Sequence, residues 1–150
     1  MQDSNTPKCS EITKVNNFIY LGSHEHSVRL TPEFENLDTD LVINCAKEVQ
    51  YPDDYEYEVK SIPLVDNDYI SFLENIDESA DAIDKALSEK KKIYLQCSDG
   101  ISRSPAILVY YLMIHKKFTY ERACNLLKRL RPVIDISPDF KDQLVAIDEC

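Results

Sequence analysis

Ile93-Tyr94-Leu95-Gln96-Cys97-Ser98-Asp99-Gly100-Ile101-Ser102-Arg103-Ser104 passes from an apolar triplet, through a polar loop, into the apolar segment 105–114. The triplet has the character of a buried β-strand, and Pro105–His115 that of a buried α-helix. A loop joining such a strand to such a helix turns several backbone N–H groups toward one point, and that point attracts anions. Gly100, without a Cβ, permits the tight curvature. Arg103 offers a planar fork of donors that matches two oxygens of a phosphate. Cys97 stands at the base of the loop, where the same positive field favours thiolate over thiol. The thiolate is the attacking species, so the segment combines anion binding with a nucleophile. Cysteine and arginine at this spacing are a weak signal alone. The competing reading is a buried cysteine in a turn and an arginine in a surface ion pair.

The flanking sequence fits the same arrangement. Asn17–Leu21 reads as a strand closed by Gly22-Ser23, and Leu41–Cys45 as a buried strand. Tyr55–Ile62 alternates apolar with charged residues, predicting a strand with one wet face that ends at Pro63. Thr31-Pro32-Glu33 starts a short helix with proline at its first position, and Ser137-Pro138-Asp139 is a helix start with a cap, proline and then an acid. Ile70, Leu73, Ile76, Ala80, Ile83 and Leu87 recur at helical spacing and predict an amphipathic helix to about residue 89. Ala123, Leu126, Leu127 and Leu130 mark another helix face behind a Thr119 cap, and Phe140, Leu144 and Ile147 a last one. Strands and helices alternate, so the fold class is α/β, a central sheet covered by helices. The chain uses only two glycines, Gly22 and Gly100, so each is expected to meet a specific backbone need.

The 150 residues suit one domain: a loosely held segment over 1–14, then a single domain over 15–150. The net charge of −10 argues against nucleic acid and acidic membrane surfaces as partners. No apolar stretch is long enough to span a membrane, and the polar start carries no secretory pattern, which predicts a cytoplasmic protein, with the nucleus also open. The five cysteines are widely spaced and odd in number, so free thiols are expected and no zinc site. Cys124 reads as a small core residue, and Cys9 and Cys150 as incidental. His24 and His26 follow Leu21-Gly22-Ser23, where they either line a loop near the site or, as the preferred reading, lie on the surface; His115 closes the apolar helix.

Q-C-S-D-G-I-S-R-S resembles the signature of the dual-specificity branch of the protein tyrosine phosphatases. F-I-Y-L-G-S, L-V-I-N-C-A, S-I-P-L-V-D-N and R-P-V-I-D-I-S-P-D-F are similar to further segments of that family, so the resemblance runs through most of the chain. It implies the phosphatase (tyrosine phosphatase-like) fold with a mostly parallel sheet. It also implies hydrolysis of phosphoserine, phosphothreonine and phosphotyrosine in a phosphoprotein, without cofactor or metal. By the resemblance Cys97 forms a phosphocysteine. Ser98, Asp99, Gly100, Ile101, Ser102 and Arg103 hold the phosphate. Ser104 assists the thiolate, and Asp66 is the general acid, with Asp68 the nearest substitute. Cys45 is implied as a redox partner of Cys97, against the plainer reading of a small core residue. The lack of extra length and of a tyrosine-recognition loop points to a shallow pocket, and a monomer is expected. Two residues depart from the pattern. Gln96 replaces the histidine that orients the loop and is expected to contact the loop in its place, and Asp99 puts a carboxylate on an anion-binding loop. They leave open a binding module without turnover. A phosphoinositide phosphatase is a third reading, disfavoured by the acidic surface.

Overall fold

Residues that alternate between two environments organise the centre of the molecule. The structure is a computed structural model that describes residues 11–150. Among these residues five strands form one sheet: β1 (Thr13–Lys14), β2 (Ile19–Ser23), β3 (Leu41–Asn44), β4 (Glu58–Ser61) and β5 (Ile93–Cys97). Their order in space is β1-β2-β5-β3-β4; β1 is antiparallel to β2 and the other neighbours are parallel. Ile93 and Leu95 of β5 join Ile19, Leu21, Leu41 and Ile43 in the main core. Tyr94 and Val42 face the other way, into a smaller cluster with Phe34. This is the two-residue period of a strand. It places Cys97 on the main-core face and Gln96 on the opposite one.

Among the described residues six helices cover the sheet: α1 (His24–Arg29), α2 (Pro32–Glu35), α3 (Tyr69–Ser88), α4 (Arg103–Lys116), α5 (Tyr120–Leu130) and α6 (Pro138–Asp148). The last four pack on one another over the main core, and Phe34 of α2 helps close the other face. The central, mostly parallel sheet flanked by helices is the expected class. Among the described residues no helix is long and apolar enough to cross a membrane.

Several expectations need correction. Thr13 and Lys14 pair with Leu21 and Tyr20, so the expected loose segment gives up its last residues to the sheet; Cys9 and residues 1–10 lie outside the described residues. The strand expected over Tyr55–Ile62 shrinks to β4, because Tyr55 leaves the ladder and donates its hydroxyl to the Ser27 carbonyl at 2.5 Å. Ile70 and Leu73 are 53% and 43% exposed rather than in the core, and Leu130 is exposed too. Phe72, Ile76, Ala80 and Ile83 form the buried face of α3 instead. Thr119 caps its helix as read and Thr31 caps α2 as well, whereas Ser137 starts α6 without a side-chain cap bond.

Candidate active site

The C-terminal end of β5 and the start of α4 are joined by Ser98 to Ser102, and the first four carbonyls of this loop are engaged by groups from elsewhere in the chain. Ser98 O accepts from the His24 backbone N–H at 3.3 Å, and His24 Nδ1 lies 2.7 Å from it. Arg131 Nη2 and Nε donate to Asp99 O at 3.0 Å and Gly100 O at 2.9 Å. Ile101 O accepts from Asp135 N at 2.9 Å. A trans peptide sets its N–H opposite its C=O. With the carbonyls drawn outward, the N–H groups of residues 99 to 102 turn toward the inside of the loop. Gly100 has φ +74°, and a Cβ there would meet Gly22 O at 2.8 Å and Arg131 Nη2 at 2.9 Å. A Cβ on Gly22 would collide with the Tyr94 hydroxyl. The chain's two glycines therefore meet where β2 backs the loop; Gly100 is there for its backbone, whereas at Gly22 the neighbour is the Tyr94 side chain, not a backbone need.

Cys97 is 1% exposed at the foot of this cradle, and its Sγ lies 3.3 Å from the buried Ser104 Oγ. Arg103, the first residue of α4, is also buried, and its outer edge is fully engaged. Nη1 donates to Glu48 Oε1 at 2.7 Å and to Leu64 O at 3.1 Å. Nη2 donates to Glu48 Oε2 at 2.5 Å and to Ser98 Oγ at 3.2 Å. Nε takes no part in these four bonds. The bond to Arg103 is the main cause that holds the Glu48 carboxyl down at about 2. A lowered carboxyl keeps its stabilising bond above its ordinary range and loses it only as pH falls through the lowered value. The pair therefore persists throughout the neutral and mildly acid range.

Asp66 is exposed on the loop before α3, yet it reaches the cradle: Ser102 Oγ donates to its Oδ1 at 3.2 Å. Ser102 Oγ in turn accepts from Ser137 N at 2.9 Å, which ties the start of α6 to the loop. Asp68 is occupied otherwise. Its Oδ1 accepts from Ile70 N at 3.1 Å and Ser71 N at 3.4 Å, which makes it the N-cap of α3. The geometry thus separates the two candidate acids, one on the cradle and one on a helix.

The two departures from the family pattern sit differently. Gln96 does not reach the loop as expected, because the strand period turns it away from Cys97. Its Nε2 donates to Asn44 Oδ1 at 3.2 Å, and its Oε1 accepts from Ser27 Oγ. Asn44 also binds Ala46 N at 3.0 Å and Val49 O at 3.0 Å, so this pair pins the turn that carries Glu48. Asp99 stays on the loop, where its Oδ1 accepts from Ile101 N at 3.2 Å. Cys45 N donates to Gln96 O at 2.7 Å, which continues the β3–β5 ladder by one residue. Cys45 then shares a face with Cys97 on the neighbouring strand. Burial, and next the charge of Cys97, raise its thiol pKa well above the ordinary value.

Glu48 and Arg131 were missed from sequence; His24 is half-buried beside the site loop, the alternative to the surface reading, and His26 is half-buried with Nδ1 2.7 Å from Thr31 Oγ1. A buried arginine demands partners. That signal could have prompted a search for Glu48, but it does not choose among 27 acidic residues. Arg131 is 2% exposed and also donates to Glu11 O at 2.5 Å and Thr13 Oγ1 at 3.1 Å, which ties β1 to the loop.

The family profile described as "Dual specificity phosphatase, catalytic domain" matches residues 19–150. The chain belongs to this family, and the domain is of the phosphatase class. Dual specificity protein phosphatase 5 of Rattus norvegicus is 31% identical over 129 residues, covering 85% of this chain and 33% of that protein. Dual specificity protein phosphatase 1 of Homo sapiens is 29% identical over 131 residues, covering 87% and 35%. The chain thus spans about a third of the length of the curated relatives it matches. Among solved structures, human DUSP28 superposes with a TM-score of 0.82 at 23% identity, over 96% of this chain and 97% of that one. The human tyrosine phosphatase-like serine/threonine/tyrosine-interacting protein gives 0.78 at 19% identity, over 93% and 97%. These two likenesses are of fold.

Proposed function

We propose that residues 15–150 form a catalytic domain that hydrolyses phosphoserine, phosphothreonine and phosphotyrosine in phosphoproteins of the cytoplasm or nucleus, acting as a monomer through a phosphocysteine. What carries this reading is the meeting of three groups at the C-terminal end of the central strand. Cys97 Sγ lies at the foot of the cradle beside Ser104, Arg103 is clamped by Glu48, and Asp66 is tied to the cradle through Ser102. In the first step a Cys97 electron pair forms the S–P bond, the P–O bond to the substrate side chain breaks, and Asp66 gives the departing oxygen its proton. Arg103 and the inward N–H groups hold the phosphoryl oxygens as charge develops on them. In the second step water attacks phosphorus, Asp66 takes its proton, and the S–P bond breaks. Ser104 donates a hydrogen bond to the returning thiolate, and inorganic phosphate leaves.

The test is phosphate release from p-nitrophenyl phosphate and from phosphotyrosine and phosphothreonine peptides, with acid quenching to trap a phosphate-labelled Cys97. Release from all three, with label on Cys97, is the expected result; no release from any substrate overturns the reading. A second reading is a phosphopeptide-binding module without turnover. The carboxylate of Asp99 on the Ile101 amide favours it, because one cradle N–H is already taken. Saturable phosphopeptide binding by the wild type with no phosphate released would establish that reading instead.

Glu48→Gln is expected to raise KM for p-nitrophenyl phosphate roughly 5-fold, with kcat changed less. The pair is charge-assisted, but its carboxylate is largely exposed, so its worth is at the low end for such bonds. If KM falls instead, Glu48 acts mainly by repelling phosphate and its clamp on Arg103 is of no consequence.

Cys45 is the proposed resolving thiol. Peroxide oxidises the Cys97 thiolate to a sulfenic acid, itself being reduced to water. The Cys45 thiol then displaces that sulfenic oxygen as water, and an S–S bond forms. Neighbouring strands stand about 4.8 Å apart, within the Cα reach of a disulfide. Mild peroxide should inactivate the wild type reversibly. Cys45→Ser should lose activity at a similar rate and recover poorly with thiol reductant. Equal recovery, with no linked Cys45–Cys97 peptide by mass spectrometry, would overturn this role.

A further inference from the structure

We infer that the loop and first turn of α3 beside Asp66 form an apolar platform that binds the substrate segment next to the phosphorylated residue, favouring apolar flanking side chains with basic residues beyond them. The inference rests on the proposed phosphatase reading and names the substrate class for that site.

Val65, Tyr69, Ile70 and Leu73 are 40%, 47%, 53% and 43% exposed, four of the seven large apolar side chains exposed among the described residues. They are gathered in one place. Val65 N donates to Ser71 Oγ at 3.1 Å, and Ser71 Oγ lies 3.3 Å from Val65 O, which sets Val65 against the first turn of α3. On that helix Tyr69 and Leu73 are four residues apart, and Ile70 and Leu73 three, so these side chains are surface neighbours. Ile70 and Leu73 keep the helical spacing of core residues but remain exposed, while Phe72 and Ile76 of the same helix are buried. A contiguous exposed apolar patch is a mark of an interaction surface.

The platform is also built into the site. Leu64 O, one residue before Val65, accepts from Arg103 Nη1 at 3.1 Å. Asp66, one residue after it, binds Ser102 at 3.2 Å. Asp68 and Ser71 lock the intervening turn through bonds to Ile70 N, Ser71 N and Asp68 O. A protein segment that brings its phosphate to Cys97 passes over this rim with its flanking residues. Asp66, Asp68 and Glu74 stand among or next to the apolar residues, and the chain carries a net charge of −10. That charge complements basic residues and disfavours an acidic membrane as the occupant.

The experiment compares phosphotyrosine peptides that differ only in Leu or Ser at the flanking positions, each with a distal Arg. Affinity is read by fluorescence anisotropy on a Cys97→Ser background, and kcat/KM on otherwise wild-type protein. One moderately buried apolar side chain is worth about 10-fold, and that preference for the Leu peptide is expected in both readouts. Ile70→Ser/Leu73→Ser should cut it to within about 2-fold while p-nitrophenyl phosphate kinetics stay unchanged. Because both positions are exposed, the variant should fold. Equal affinity of both peptides for the parent protein overturns the platform, whether or not p-nitrophenyl phosphate is hydrolysed. If no substrate is turned over, the enzymatic reading fails, while the anisotropy still decides the platform. Sedimentation of the wild type as a dimer that the double variant converts to monomer, with peptide preference intact, would assign the patch to a second copy of the chain and overturn the inference. Loss of binding to mixed phosphatidylcholine–phosphatidylserine vesicles, again with peptide preference intact, would overturn it in favour of a membrane.

Discussion

Cys97→Ser is expected to abolish turnover, by at least roughly 10⁴-fold, with the fold left in place. A serine hydroxyl stays protonated near neutral pH and is a far weaker nucleophile than a thiolate. Nothing else in the site needs to change. The residue lies at the end of β5, its side chain is fully enclosed, and a hydroxyl keeps the contact to Ser104 that Sγ makes at 3.3 Å. The cradle itself is held from outside by His24, Arg131 and Asp135, none of which depends on the sulfur. The variant should therefore retain wild-type circular dichroism and bind phosphopeptides with an affinity within a few-fold of normal. It should also lose any peroxide-induced link to Cys45. A variant that hydrolyses p-nitrophenyl phosphate at the wild-type rate would remove the nucleophile from the mechanism. One that fails to bind phosphate analogues while still folded would mean that Sγ shapes the cradle rather than attacks.

The contrast between Cys97 and Glu48 shows what a sequence conveys about this site. The strand–loop–helix around Cys97 is local, so one stretch of a dozen residues specifies strand end, glycine turn and helix start together. The sheet class was legible for the same reason: short β-branched runs alternate with helical patterns. Glu48 and Arg131 act across the chain, one on Arg103 and the other on carbonyls at residues 99 and 100, and no periodicity encodes such pairings. Period also misled where the fold runs out. The pattern at Ile70 and Leu73 is that of a core face, but the first turn of α3 lies beside the cradle and leaves these side chains uncovered. At Tyr55 and Tyr57 the alternation is real but serves ring contacts, with centroids 5.7 Å apart and Tyr57 5.0 Å from Phe34, rather than a ladder. Gln96 was legible in the opposite sense. The strand period, applied strictly, already places it on the far face from Cys97, so its expected contact with the loop conflicted with the same rule that located the strand.

Asp66→Asn is expected to lower kcat by roughly 10²–10⁴-fold, the range for a group that moves a proton in the transition state. The substitution is nearly isosteric and keeps an oxygen for the bonds from Ser102 Oγ and Asn67 N, so the loop should hold its place. What is lost is the proton delivered to the departing oxygen. The size of the loss should follow how badly that oxygen needs it: greatest for a phosphoserine peptide, smaller for phosphotyrosine, smallest for p-nitrophenyl phosphate. Asp68→Asn provides the control within the same loop. Asparagine caps a helix about as well as aspartate, so it should change stability by only a few tenths of a kcal/mol and kcat by less than about 2-fold. The pair of variants separates proton transfer from loop support. An equal loss on every leaving group in Asp66→Asn would make Asp66 a positioning residue for the loop. The leaving-group pattern appearing in Asp68→Asn instead would exchange the two aspartates, and with them the assignment of which end of this loop faces the substrate.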